Sequence, residues 1–165
     1  MKKSYAVVTG ASSGIGECFA RRLAKEGYSL VLVARRKERL NRLADELKAE
    51  GTHVVIETAD LSKKDECLRL MSALGDKPIG VFINNAGFGD CGRFADTSLD
   101  KDLDMIDVNI RAVHILTKLV LRKMRSQGGG YLLNVASSAG LIPAGPYMAT
   151  YYASKAYVAS MTRAV

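Results

Sequence analysis

Tyr151 and Lys155 stand four residues apart in the run Tyr151-Tyr152-Ala153-Ser154-Lys155, a spacing that puts both side chains on one face of a helix, a turn apart. A free tyrosine holds its proton up to a pH of about 10, but a nearby ammonium favours the phenolate and lowers that value. Such a pair can exchange a proton with a substrate. Upstream, Ser137 and Ser138 follow the apolar run Tyr131 to Ala136, which is short, bulky and preceded by glycines, as a buried strand would be. Ligands bind at the carboxyl ends of the strands in an open parallel sheet. A serine there can hold a substrate carbonyl oxygen while the tyrosine supplies or removes its proton.

Neither feature is specific alone, since Tyr-x-x-x-Lys is also the spacing of an ordinary exposed helical pair. Tyr152 precedes Lys155 by three residues, which is again a helical-neighbour spacing, and Tyr147 and Tyr157 lie close by. Spacing leaves all four tyrosines open. Leu141, Ile142, Pro143 and Met148 surround the serines and read equally well as the wall of an apolar pocket or as core.

A second constellation lies near the amino terminus. Gly10, Gly14 and Gly16 follow an apolar run and open a helical pattern, where missing side chains let a pyrophosphate approach backbone N–H groups and the positive helix end. This arrangement predicts a dinucleotide site. About twenty residues beyond the fingerprint, an NAD enzyme usually places a carboxylate for the ribose 2′-hydroxyl. Here the second apolar run ends Val33-Ala34-Arg35-Arg36. Two guanidiniums suit a 2′-phosphate through charge-assisted, bidentate bonds, so the expected cofactor is NADP(H), with NAD(H) less suited. Ser12 or Ser13 can add a hydroxyl to that pocket.

The elements that must position these residues alternate between strand-length apolar runs and longer helical periods, the signature of βαβ units. The expected fold class is α/β, a Rossmann-like doubly wound parallel sheet with about five strands. Strands are expected at Tyr5 to Thr9, Leu30 to Ala34, Val54 to Thr58, Val81 to Asn84 and Tyr131 to Ala136. Between them, Ile15, Cys18, Phe19 and Leu23 predict the buried stripe of a first helix that Gly27 closes with a left-handed cap. Leu40, Leu43, Ala44 and Leu47 do the same for a second helix ending at Gly51. Ser62 to Asp65 fits a capping box for a helix with Leu68 and Met71 inward and Gly75 near its end. Thr97 to Asp100 offers another, opening a long helix whose inward face runs through Leu103, Ile106, Ile110, Val113 and Val120 to an end near Gly128. Asn109 interrupts that apolar face.

The length of 165 residues, with 48% hydrophobic and 25% charged, predicts a single domain over residues 1–165 with a substantial core. The apolar run after Met1-Lys2-Lys3-Ser4-Tyr5 is too short for a signal-peptide core or a membrane span. The expected location is cytoplasmic, away from a membrane. Cys18, Cys67 and Cys91 are odd in number and widely spaced, which argues for reduced structural thiols over disulfides or a metal site. The net charge of +7, from 24 basic and 17 acidic residues, is spread over several helical faces and not gathered into one arm, so a nucleic-acid partner is not expected.

Thr9-Gly10-Ala11-Ser12-Ser13-Gly14-Ile15-Gly16, Asn84-Asn85-Ala86-Gly87, Asn134-Val135-Ala136-Ser137-Ser138-Ala139-Gly140 and Tyr151-x-x-x-Lys155 together resemble the motifs of the short-chain dehydrogenase/reductase family, in its order and spacing. The Gly-x-x-x-Gly-x-Gly form is that family's own. The resemblance implies hydride transfer between the nicotinamide and a small-molecule carbonyl or secondary alcohol. Tyr151 would be the general acid or base, Lys155 would hold the nicotinamide ribose and lower the tyrosine pKa, and Ser138 would position the substrate oxygen. Asn109 would support a water-mediated proton path to the lysine. Around the cofactor, the resemblance places Ser12, Ser13, Gly14, Ile15 and Gly16 at the fingerprint loop, Asp60 and Leu61 beside the adenine, and Asn85, Ala86 and Gly87 along the adenosine ribose. Family members continue through two more strands and a substrate loop, so the expectation is a domain incomplete at its carboxyl end, or a homo-oligomer that covers the remaining apolar surface. A nucleotide-binding remnant without turnover is the alternative.

Overall fold

A computed structural model describes residues 4–143 and 145–165. Met1 to Lys3, on which part of the reading of the amino terminus rests, and Ala144 lie outside the described residues. The element order is β1 (Tyr5–Thr9), α1 (Gly14–Lys25), β2 (Ser29–Ala34), α2 (Lys37–Ala49), β3 (Val54–Thr58), α3 (Lys64–Leu74) and β4 (Ile79–Asn84). There follow α4 (Leu99–Ile106), a π-helical turn (Asp107–Ala112), α5 (Val113–Ser126), β5 (Tyr131–Asn134), a 3₁₀ turn (Ser138–Gly140) and α6 (Ala149–Ala164).

All five strands are parallel and lie in the order β3-β2-β1-β4-β5. The alternation of each strand divides the core in two. Val7, Val31, Val33 and Phe82 pack with Leu70, Leu74 and Leu116 of α3 and α5 on one face. Ala6, Val8, Leu30, Leu32 and Ile83 pack with Leu40, Leu43, Ala44 and Leu47 of α2 on the other. A strand buried on both faces reads as an unbroken apolar run, and every residue of β2 is buried. The chain winds outward from β1 in one direction through β2 and β3, then in the other through β4 and β5. A crevice therefore opens at the carboxyl ends of β1 and β4.

Several helical faces differ from the sequence expectation, each for a packing reason. In α1 the buried residues are Gly16 and Ala20, whereas Ile15 is 61% exposed and Cys18 is exposed. A Cβ on Gly16 would stand 2.3 Å from the Gly10 carbonyl oxygen, so the helix lies too close to β1 for a bulky residue. Phe19 and Leu23 pack on the core from the flank, and Gly27, at φ 85°, closes the helix as expected.

In α3 the inward set is Cys67, Leu70 and Leu74, with Met71 partly buried and Leu68 40% exposed. No capping box forms there, because the Ser62 hydroxyl donates to Asp60 at 2.9 Å and Lys63 takes the N-cap position. At α4 the cap falls on Ser98, which accepts from the Lys101 N–H. Leu103 and Ile106 are exposed, and the buried line runs through Met105, Asn109, Ala112, Val113, Leu116 and Val120. A polar residue occupies the inward position at 109, so a reading by apolar identity shifted the face by one residue at 105 and 109, while Val113 and Val120 face inward as expected. The strand expected to reach Ala136 ends at Asn134, although the Val135 N–H still donates to the Asn84 carbonyl. β5 lies at the sheet edge, pairing with β4, and Tyr131 is 76% exposed, so its apolar run does not mark burial on both faces. Among the described residues, no helix is long and apolar enough to cross a membrane.

Candidate functional site

A cleft of about 840 Å³ opens at the β1/β4 crevice. It runs from Ser12, Ser13, Arg35 and Arg36 past Asn85, Ala86 and Gly87 to Tyr151 and Lys155. Gly10, Ser12, Ser13, Ile15, Arg35, Arg36, Asp60, Leu61, Asn85, Ala86, Gly87, Tyr151 and Lys155 thus line one surface, whereas Gly14, Gly16, Asn109 and Ser138 stand outside its lining.

At the first end, Gly10 and Gly14 adopt the left-handed region at φ 67° and 57°, which only glycine enters without strain. A Cβ on Gly10 would lie 2.8 Å from Asn85 Nδ2, whereas one on Gly14 would meet nothing. Gly10 and Gly16 therefore serve close packing, and Gly14 leaves the mouth open. Ser13 is the N-cap residue of α1 but makes no side-chain cap bond to it. Its hydroxyl, with that of Ser12, accepts from Arg36 at 2.8 and 3.0 Å. The amide groups of the first helical turn are left uncapped by it, and a helix start of that kind favours an anion. Ile15 lines this mouth from its exposed position.

Farther along, Asp60 and Leu61 border the cleft. Asp60 also accepts from the Ser62 N–H at 3.2 Å, a turn-forming bond. Asn85 donates through Nδ2 to the Thr9 carbonyl at 3.0 Å, and Thr9 Oγ1 accepts from the N–H groups of Asn85 and Ala86 at 2.9 and 3.0 Å. Thr9 is 1% exposed and ties the ends of β1 and β4 together. The sequence marks it as the last residue of a strand and the first of the glycine-rich motif, without assigning it this bridging role.

At the far end, Lys155 is 6% exposed and its Nζ donates to the Val135 carbonyl at 2.9 Å. Burial pushes its pKa below the ordinary lysine value, because an ammonium loses hydration there. Nζ lies 5.9 Å from the centroid of the Tyr151 ring, within reach of a cation–π attraction. Tyr151 is the tyrosine that lines the cleft. Tyr152 packs instead against Gly145, Tyr157 bonds His114 at 2.6 Å, and Tyr147 is 59% exposed.

Asn109 sits in the π-helical turn, fully buried. Its Nδ2 donates to the Phe88 carbonyl at 2.8 Å and to Ser154 Oγ at 3.1 Å, and its Oδ1 accepts from the Phe88 N–H at 3.1 Å. The side chain is thus committed to the loop after β4 and to α6. Ser138 is exposed at the start of the 3₁₀ turn and lies outside the cleft wall.

The wall also includes Phe88, Gly89, Asp90, Cys91 and Val108, which sequence reasoning passed over. Four of these directly continue Asn85-Ala86-Gly87, and that continuity was the available signal. Met148 lines the cleft, whereas Leu141 and Ile142 are exposed at 64% and 51%. Of the cysteines, Cys67 alone is a core thiol, donating to the Leu61 carbonyl at 3.5 Å, and burial pushes its pKa up to about 11. Cys18 and Cys91 are exposed.

The family model for short chain dehydrogenases matches residues 4–165. A very-long-chain 3-oxoacyl-CoA reductase of Anas platyrhynchos is 38% identical over 97% of this chain and 53% of its own length. The chain spans about half the length of such curated relatives. A short-chain dehydrogenase from Sphingobium yanoikuyae in complex with NADPH superimposes with a TM-score of 0.92 at 36% identity, over 98% of this chain and 64% of that one. A short chain dehydrogenase/reductase from Burkholderia phymatum in complex with NAD also gives 0.92, at 33% identity, over 98% and 58%.

Proposed function

The chain belongs to the short-chain dehydrogenase family, and we propose that it is an oxidoreductase passing a hydride between NADP(H) and a carbonyl or secondary alcohol. The observation that carries this reading is the unbroken cleft from the Arg36–Ser13 pair to Tyr151 and Lys155. The residues present fit a dinucleotide: an open glycine at Gly14, a helix start not capped by its own N-cap side chain, and two guanidiniums at the end of β2. When bound, the nicotinamide supplies the hydride donor or acceptor.

The chain's own residues do the rest. Arg35 and Arg36 hold the 2′-phosphate, and Ser12 and Ser13 fix Arg36 in place before it arrives. Asn85, Ala86 and Gly87 line the path of the adenosine ribose, with Asp60 and Leu61 beside the base. Tyr151 gives its phenolic proton to the substrate oxygen in reduction and takes it back in oxidation. Lys155 holds the ribose on the nicotinamide side and places a positive charge beside that phenol. Asn109 fixes the Phe88 backbone and α6 relative to each other, which keeps the reacting groups in register.

A second reading, nucleotide binding without turnover, draws on the position of Ser138 outside the cleft wall. Fluorescence titration with NADPH and NADH separates the cofactor choices. Tighter NADPH binding is expected, weakened about 10- to 100-fold by replacing Arg35 and Arg36 with alanine, the range for losing charged hydrogen bonds. Equal affinity for both nucleotides would remove the NADP preference. Binding without reduction of any carbonyl in a broad panel would leave the second reading.

A further inference from the structure

Gly89 lies in the loop after β4, beyond the Asn84-Asn85-Ala86-Gly87 motif, and lines the cleft beside Tyr151. A Cβ built on it would stand 3.1 Å from Tyr151 Cδ2 and 3.4 Å from both Cε2 and Cγ. The glycine therefore forms the floor on which one edge of the tyrosine ring rests. Its φ is not in the left-handed region, so the backbone does not itself demand glycine. What a side chain would change is the space beneath the ring.

Either the loop or the ring must yield to such a side chain, and the loop is held on both sides. Asn109 grips both the N–H and the carbonyl of Phe88, at 3.1 and 2.8 Å. Asp90 is paired with Lys101 of α4 at 2.6 Å, and the Gly92 N–H donates to the Tyr147 carbonyl at 2.8 Å. The α6 backbone is held as well, through Lys155 to Val135 and through Ser154 to Asn109. The freedom that remains is rotation of the Tyr151 side chain. A turn about χ2 leaves the hydroxyl on its axis, whereas a turn about χ1, which moves Cγ and Cδ2 together, carries the hydroxyl at the far end of the ring farther than Cδ2.

We propose that Gly89 is a positioning residue for Tyr151, its missing side chain being what allows the ring to rest against the pinned loop with the hydroxyl in the cleft. The proposal rests on Tyr151 being the proton-transfer group. Gly89 touches the ring, acts through it, and takes no part in the proton transfer.

The test uses the whole chain with Gly89→Ala and Gly89→Val, and reads NADPH binding, carbonyl reduction and the Tyr151 ring resonances by NMR. Those resonances are assigned by their loss in Tyr151→Phe. Misplacement by an ångström costs about 100-fold in rate. Gly89→Ala, which asks for a few tenths, is expected to lower kcat about 3- to 10-fold while the NADPH Kd moves less than about twofold. Gly89→Val should lower kcat further, and the ring resonances should move in Gly89→Ala. Wild-type kcat with unmoved resonances in Gly89→Ala overturns the proposal. So does a parallel loss of NADPH affinity and kcat, which would mean general damage to the cleft. If the wild-type chain binds NADPH but reduces no carbonyl, the oxidoreductase reading fails on its own. The ring resonances still decide for or against Gly89 in that case.

Discussion

At the end of the cleft proposed for the nucleotide, Arg35 and Arg36 are exposed, and the Arg36 side chain donates to the hydroxyls of Ser12 and Ser13. At the other end, Asn109 is fully buried and Lys155 is 6% exposed, and both are spoken for by hydrogen bonds from other elements. The first end presents exposed guanidiniums beside a helix start that its own N-cap side chain leaves uncapped. The second is a desolvated assembly whose geometry is fixed beforehand. Exposed charge gives attraction and choice of partner, and buried hydrogen bonding gives the placement that proton transfer needs.

The strongest way to separate the two ends is Tyr151→Phe. Losing a general acid costs about 10²- to 10⁴-fold in rate. We expect kcat to fall by that order while the NADPH Kd stays near the wild-type value. Comparable losses in both quantities would show that the two ends are not independent.

Asn109→Ala is expected to act next most strongly, and on stability as much as on rate. It leaves the Phe88 N–H and carbonyl and the Ser154 hydroxyl without the partner they now share. Unsatisfied buried groups of this kind cost about 1–3 kcal/mol each, and partial rehydration brings the expected total to roughly 2–3 kcal/mol. A shift in the urea midpoint without change in the slope is the measurement. A smaller effect is expected from salt at the opposite end. Exposed charges are screened over about 8 Å at physiological ionic strength. Raising the salt should therefore weaken NADPH binding several-fold and NADH binding much less, and equal sensitivity would argue against a 2′-phosphate at Arg35 and Arg36.

The same contrast explains what was legible in the sequence. Tyr151 and Lys155, and the Gly10 to Gly16 loop, are local patterns whose spacing carried their shared face and turn, although the choice of Tyr151 among four tyrosines came from the family's register. Helical faces were legible where apolar identity and burial coincide, as at Leu40, Leu43 and Leu47. They were misread where the packing surface wanted something else: the small Gly16 and Ala20 in place of Ile15 and Cys18, and the polar Asn109 in place of Ile110. The roles of Thr9 and Gly89 could not be read, because their contacts are made with residues distant in the chain. Ser138 was placed at the right end of β5, but its exposure depends on how the 3₁₀ turn folds over afterwards.

The smallest expected effect concerns Lys155 and sharpens the contrast from the buried end. Its pKa in the folded chain is lowered by burial, whereas an unfolded lysine titrates at about 10.4. Below the folded value both states carry the proton, and the whole penalty for the buried charge is present. Between the folded value and about 10.4 the unfolded chain binds more protons, so stability rises with pH. Above that window both states are neutral and the penalty is gone. Denaturant midpoints followed upward from neutral pH should therefore show a rising contribution in the wild-type chain that Lys155→Met lacks, since the methionine carries no charge to bury. Parallel pH profiles for the two proteins would mean that the Val135 carbonyl and the Tyr151 ring already compensate the ammonium. Lys155→Met should also be no less stable near neutrality, while carbonyl reduction falls. A site that holds a charge against its solvation trades stability for chemistry, and the exposed guanidiniums at the nucleotide end have no such cost to recover.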